Sequence, residues 1–276
     1  MLIRNGTVLH NNRLEPAADL RIAGKSVAEI GPGLTADGEQ VFDATGCYML
    51  PGFVDLHTHG LEQIMVQDGG WREYARLQLR QGVTACLPTL FGPPAVVTEA
   101  MRQGRAETED FSQTPNLVGF RLEMPYLAKP GAGQASSLTG IRPDTTDSMW
   151  EAGGGKIRIW DVSPELPDAV PFVRWAAERG IVTSMAHTRA TPEQARAAVD
   201  AGLSLVTHLY DTFDPPPQLD GGVYPAGLTD YVQIEDRLVA EIIPDGVHVH
   251  GFLVEMTLRC KGLDRVAFVT DSVRGA

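Results

Sequence analysis

From Pro51 onward, short apolar runs alternate with stretches whose apolar positions recur every three or four residues. The clearest unit spans residues 181–208. "IVTSMA" reads as a buried strand, Thr191 as a helix N-cap and Pro192 as the first helical residue. "PEQARAAVDA" is rich in good helix formers, Gly202 stands where a C′ glycine belongs, and "LSLVT" is the next strand. This is a βαβ unit. A second lies at residues 72–89, where the helix "REYARLQLRQ" stops at Gly82 and the strand "VTACLPT" follows.

Strands of this kind are "GFVDLHT", "VTACLPT", "LVGFRLE", "KIRIWDV", "IVTSMA", "LSLVT", "LVAEII" and "RVAFVTD". Eight strands with intervening helices predict an α/β fold, a (β/α)8 TIM barrel over residues 51–276. "PDAVPFVRWAAERG" and "FLVEMTLRCKG" fit as helices between later strands. The Pro- and Gly-rich stretch "HLYDTFDPPPQLDGGVYPAG" predicts a long loop after strand six, of a length that usually signals function. Residues 1–50 have a different texture. "LIRNGTVLH" carries an Asn5-Gly6 turn between apolar stretches, and "DLRIAGKSVAEIGPG" repeats the pattern. They predict a small sandwich-type β domain ahead of the barrel.

The chain has 276 residues, 43% of them hydrophobic, enough for a substantial core. Its net charge of −12 argues against nucleic acid or an anionic membrane as the main partner. No apolar run is long enough for a signal peptide or a membrane span. Cys47, Cys86 and Cys260 are odd in number and lack metal-type spacing. They read as small buried side chains in a reducing cytoplasm.

The candidate chemistry lies at strand ends. His57 and His59 close strand one in "PGFVDLHTHG", Glu123 ends strand three, His187 and His208 follow strands five and six, and Asp271 ends strand eight. The carboxyl ends of barrel strands converge on one face, where active sites are built. Residues i and i+2 of a strand share a face, so His57 and His59 can address one ion. Imidazole and carboxylate together suit zinc or a similar divalent ion, and a carboxylate can bridge two. Taken singly, each residue has a plainer reading: a capping histidine, a solvated glutamate, an N-cap aspartate.

The small β domain followed by "PGFVDLHTHG" resembles the amidohydrolase superfamily. "GVTACLPTL", "LEMP", "AHTRAT…AGLSLVTHLYD" and "IPDGVHV…FVTD" resemble, more narrowly, the N-acetylglucosamine-6-phosphate deacetylase family, over nearly the whole chain. The resemblance implies that His57, His59 and Asp271 bind one ion and that Glu123, His187 and His208 bind the other. In a one-metal version the second set binds the only ion. Zinc is the first expectation, with iron, cobalt and manganese as alternatives. The resemblance further implies that His248 contacts the substrate and polarises the acyl oxygen, and that Asp211 and Thr212 contact the sugar. Asp271 would be the base that takes a proton from water and passes it to the departing nitrogen. The implied partner is an N-acetylated amino sugar, and a homodimer is suggested. The alternatives are an amidohydrolase for another N-acyl amine or cyclic amide, and an inactive scaffold relative.

Some stretches depart from the family pattern. Met124 replaces a glycine after Glu123, and Asp211 replaces an asparagine. "QLDGGVYPAGLTD" lacks the arginine expected to hold a sugar phosphate. Arg121 and Arg189 are the cations near the site. Each reads either as an ion-pair arginine or as the reader of a different anion. The family continues past the position of Asp271, so the chain is expected to be truncated after strand eight, with an incomplete β domain and marginal stability.

Overall fold

The computed structural model describes residues 1–216 and 218–276. The chain divides into two compact units, Met1–Phe53 and Val54–Ala276. In the first, β1 (Leu2–His10), β2 (Arg13–Ala23) and β3 (Ser26–Gly31) form an antiparallel meander. β4 (Val41–Asp43) and β5 (Tyr48–Met49) both run parallel to β1. Asn5 takes a left-handed backbone (φ 63°) inside β1 rather than in a hairpin turn, and the pairing with β2 shifts register there. Asn tolerates that conformation better than most residues. The predicted Asn-Gly turn is therefore a β-bulge.

The second unit begins with β6 (Phe53–Thr58). The short hairpin β7 (Gly60–Leu61) and β8 (Ile64–Met65) follows it. The remaining strands are β9 (Val83–Leu90), β10 (Phe120–Leu122), β11 (Ile157–Val162), β12 (Val182–Met185), β13 (Leu205–Val206), β14 (Val239–Ile242) and β15 (Val266–Phe268). With β6 they form one eight-stranded sheet in sequence order, and every recorded neighbouring pair is parallel. A parallel bridge between Thr58 and Ser272 joins the first strand to the segment after the last. This is the TIM barrel the alternation predicts.

Among the described residues, seven α-helices lie between the strands: α1 (Trp71–Arg80), α2 (Pro94–Glu107), α3 (Pro143–Gly153), α4 (Ala169–Ala177), α5 (Pro192–Ala201), α6 (Leu228–Ile234) and α7 (Gly251–Lys261). α5 begins where the sequence places it. Thr191 Oγ1 accepts from Gln194 N while Gln194 Oε1 accepts from Thr191 N, a reciprocal capping box. Between helices and barrel lies one apolar layer containing Trp71, Phe120, Trp160 and Phe172. Inside the barrel, Leu87, Ile159 and Leu205 form an apolar floor. Among the described residues no helix is long and apolar enough to cross a membrane.

Candidate metal centre

The strand-end residues that sequence spacing singles out converge. His57, His59, Glu123, His187 and His208 are all buried, and Asp271 is partly buried. His57 Nε2 lies 3.1 Å from His59 Nε2. Glu123 Oε2 is 3.3 Å from His59 Nε2, and Glu123 Oε1 is 2.9 Å from His187 Nε2 and 3.5 Å from His208 Nε2. Glu123 thus belongs to two three-residue groups, one with His57 and His59 and one with His187 and His208. Asp271 Oδ1 is 3.1 Å from His59 Nε2 and 3.4 Å from His57 Nε2. It also groups with His208 and Asp211.

Backbone pairing across the barrel seam sets this geometry. Asp271 N donates to His57 O (2.9 Å) and His59 N to Ser272 O (2.8 Å), which brings the segment after β15 against the end of β6. Glu123 N donates to Leu90 O at 3.0 Å. His187, His208 and Asp271 all have positive φ (44°, 28° and 47°). Such backbone is costly for non-glycine residues and tends to persist at functional sites. The loop after β10 passes over His187 at Gly131 (φ 56°), where a Cβ would meet His187 Cε1 at 2.3 Å. Only glycine fits there.

The donor set fits a divalent cation. His59 Nδ1 lies 3.0 Å from Thr89 O and donates to it, which leaves Nε2 as the bare nitrogen of the neutral ring. Two imidazole nitrogens and two carboxylate oxygens then face one another. Ligands about 2.1 Å from a tetrahedral ion stand about 3.4 Å apart, close to the separations found here.

The electrostatics agree. Burial raises the Glu123 carboxyl, but hydrogen bonds from His187 and His208 and the nearby charges of His59 and His57 outweigh it. The group is held well below the usual carboxylate range. Burial also raises Asp271, and the imidazoles of His57 and His59 overcome it, leaving the carboxyl at about 2. Burial lowers His208, but its contact with Glu123 pushes it up to about 9.

The other expected residues divide. Asp211 and Thr212 lie beside the cluster, Thr212 with φ 59° and its hydroxyl donating to Asp211 O. His248 stands apart on an exposed loop, with Asp245 Oδ2 2.7 Å from its Nδ1, a contact that raises its pKa. Met124 turns away from the ligands into an apolar cluster with Leu127 and Ala186.

Arg121 cannot read a substrate anion. It is fully buried and bonds to Asp161, Glu241, Thr207 and Leu56 O. Asp161 and Glu241 are the residues sequence reasoning missed. Their signal is a charge in a strand that otherwise reads as buried, in "IRIWDV" and "LVAEII". Such a charge requires a partner. Arg189 is exposed and lies 3.5 Å from Asp214, which also pairs with Lys129 at 2.7 Å.

No family model matches the chain. Among curated proteins, the N-acetylglucosamine-6-phosphate deacetylase of Lysinibacillus sphaericus is 30% identical over 280 residues, 99% of this chain and 71% of the relative. The chain belongs to the N-acetylglucosamine-6-phosphate deacetylase family. Members of this family are metal-dependent amidohydrolase-type enzymes that act on an amide bond. The N-acetylgalactosamine-6-phosphate deacetylase of Escherichia coli O157:H7 is 27% identical over 263 residues, 93% of this chain and 67% of that one. The solved N-acetyl-D-glucosamine-6-phosphate deacetylase of Mycobacterium smegmatis superposes with a TM-score of 0.86 at 26% identity, covering 99% of this chain and 77% of that one. This chain carries Glu123-Met124-Pro125 and a buried arginine, Arg121, two residues before Glu123.

Proposed function

We propose that the chain removes the acetyl group from an N-acetylated amino sugar phosphate, with His57, His59, Glu123, His187, His208 and Asp271 holding one or two divalent ions, zinc first among them. The observation that carries this reading is the convergence of Glu123 with both histidine pairs at the mouth of the barrel. A divalent ion held by these residues would lower the pKa of a bound water from 15.7 to about 7 and would draw charge from the amide carbonyl.

The chain's own residues supply the rest. Asp271, ionised at neutral pH, accepts the proton from the attacking water and returns it to the departing nitrogen. Amine nitrogen leaves poorly unless protonated, so one carboxylate serving as base and then acid suits the reaction. Thr89 O keeps the ring of His59 in one tautomer. Asp211 and Thr212 border the ligands where the sugar would lie, and His248, aimed by Asp245, would close over the acyl oxygen. The cations for a phosphate are Lys129 and Arg189, held together by Asp214 on loops beside His187 and Thr212. Of the three free cysteines Cys86 is buried as expected, whereas Cys47 and Cys260 are exposed, and free thiols fit a reducing cytoplasm. We extend the reading to a homodimer on the family likeness alone.

The test is turnover of N-acetylglucosamine 6-phosphate and of N-acetylglucosamine by zinc-loaded protein, with acetate release as readout. The expected result is metal-dependent deacetylation, abolished by a chelator, with the phosphorylated sugar preferred. Equal turnover of both sugars would remove the phosphate from the reading. Bound metal with no turnover of any acylated amine would favour an inactive scaffold.

A further inference from the structure

TIM-barrel interiors are usually filled by layers of apolar side chains. Here the layer between the apolar floor and the metal ligands is ionic. Two residues beyond Ile159, Leu205 and Val239 on their strands come Asp161, Thr207 and Glu241, and Arg121 precedes Glu123 by two on β10. Residues i and i+2 share a face of a strand, so the network stands one step below the metal centre.

Its wiring is specific. Arg121 Nη1 donates to Glu241 Oε1 at 2.7 Å and to Leu56 O at 3.1 Å. Arg121 Nε and Nη2 each lie 3.2 Å from an oxygen of Asp161, and Nη2 also reaches Thr207 Oγ1 at 2.9 Å. Thr207 Oγ1 in turn contacts Asp161 Oδ2 (3.1 Å) and Ser184 Oγ (2.7 Å). Arg121, Asp161 and Glu241 are all fully buried. Two carboxylates and one guanidinium leave one negative charge in excess, a costly arrangement unless a positive group lies close by.

That group is His57. Glu241 Oε2 and His57 Nδ1 lie 3.8 Å apart, and each is a buried polar atom with no hydrogen-bond partner. A movement of about 1 Å brings them into hydrogen-bond range. His57 Nε2, on the other side of the ring, points at His59 and Asp271. An imidazole that donates Nδ1–H to a carboxylate keeps Nε2 as a lone pair and becomes a better ligand.

We propose that Glu241 is a positioning residue for the metal centre. It accepts Nδ1–H of His57, and Arg121, clamped by Asp161 and Thr207, keeps the carboxylate in place. The two histidines of the His-x-His pair are thus fixed differently, His59 by the Thr89 carbonyl and His57 by a buried ion network. The inference rests on the reading of His57 as a metal ligand.

The experiment measures zinc affinity by chelator competition on the full chain, alongside melting temperature, for wild type, Glu241→Gln and the triple variant Arg121→Met/Asp161→Leu/Glu241→Met. The triple variant removes both carboxylates together with their shared cation, so no unpaired buried charge is left behind if Glu241→Gln fails to fold. We expect either variant to bind zinc about 10- to 100-fold more weakly than wild type, while the metal-free protein remains folded. Wild-type affinity in a folded variant would overturn the positioning role and leave the proposed function standing. A wild-type protein that binds no zinc would overturn both.

Discussion

His208 Nε2 lies 3.2 Å from His187 Nε2 and 3.5 Å from Glu123 Oε1, and its pKa is raised to about 9 because Glu123 outweighs the effect of burial. A metal ion needs the neutral ring, so binding must expel that proton. The sign follows directly. His208 is protonated below about pH 9, so falling pH increasingly opposes binding. Zinc affinity should drop by up to tenfold per pH unit between pH 8 and 6, with about one proton released per ion from this residue. Titration calorimetry in buffers of different ionisation enthalpy measures that release. An affinity flat across this range would contradict the protonated His208. At this scale the converging residues were legible in the sequence, because histidine and carboxylate at strand ends have few structural uses in combination. The fate of Arg121 was not. A lone arginine in "GFRLE" has the same sequence signature whether it meets a substrate or a buried Asp161 on another strand.

Among the elements, α5 is the one whose limits the sequence specifies at both ends, through Thr191, Pro192, Gln194 and Gly202. Its cap is local chemistry, readable without knowing the fold. Thr191→Ala removes the side chain that accepts from Gln194 N and should cost about 1 kcal/mol. A loss of that size lowers the melting temperature by about 2–4 °C in a protein of this size. Thr191 touches no ligand in the described contacts, so kcat should be unchanged. Calorimetry beside steady-state kinetics would check both, and an unchanged melting temperature would mean the cap contributes nothing. α2 and α3 were less legible. Each begins with proline at its first position but has no side-chain N-cap, and α2 carries Gly104 in its interior. That glycine follows tertiary packing, since a Cβ there would lie 2.7 Å from Trp71. The Asn5-Gly6 bulge is similar, because its pairing with β2 decides whether the dipeptide bends a strand or turns it.

Across the whole molecule, eight apolar strands in sequence order establish the barrel, and the barrel brings together residues separated by more than two hundred positions. His57 and Asp271 are joined by the pairing of Asp271 N with His57 O, a contact that depends on ring closure rather than on any local motif. The sequence could assign these residues to one face through the general rule for barrels. It could not show that Glu123 faces both histidine pairs, or that a charged layer lies beneath them. Those facts depend on which side chains meet across strands. The proposed function stands or falls on whether this convergence holds a divalent metal ion. The most direct measurement is the metal content of purified protein by elemental analysis, with a His57→Ala/His59→Ala variant beside it. The expected result is one or two divalent ions per wild-type chain and a lower content in the variant. Wild-type protein with no metal after zinc loading would contradict it.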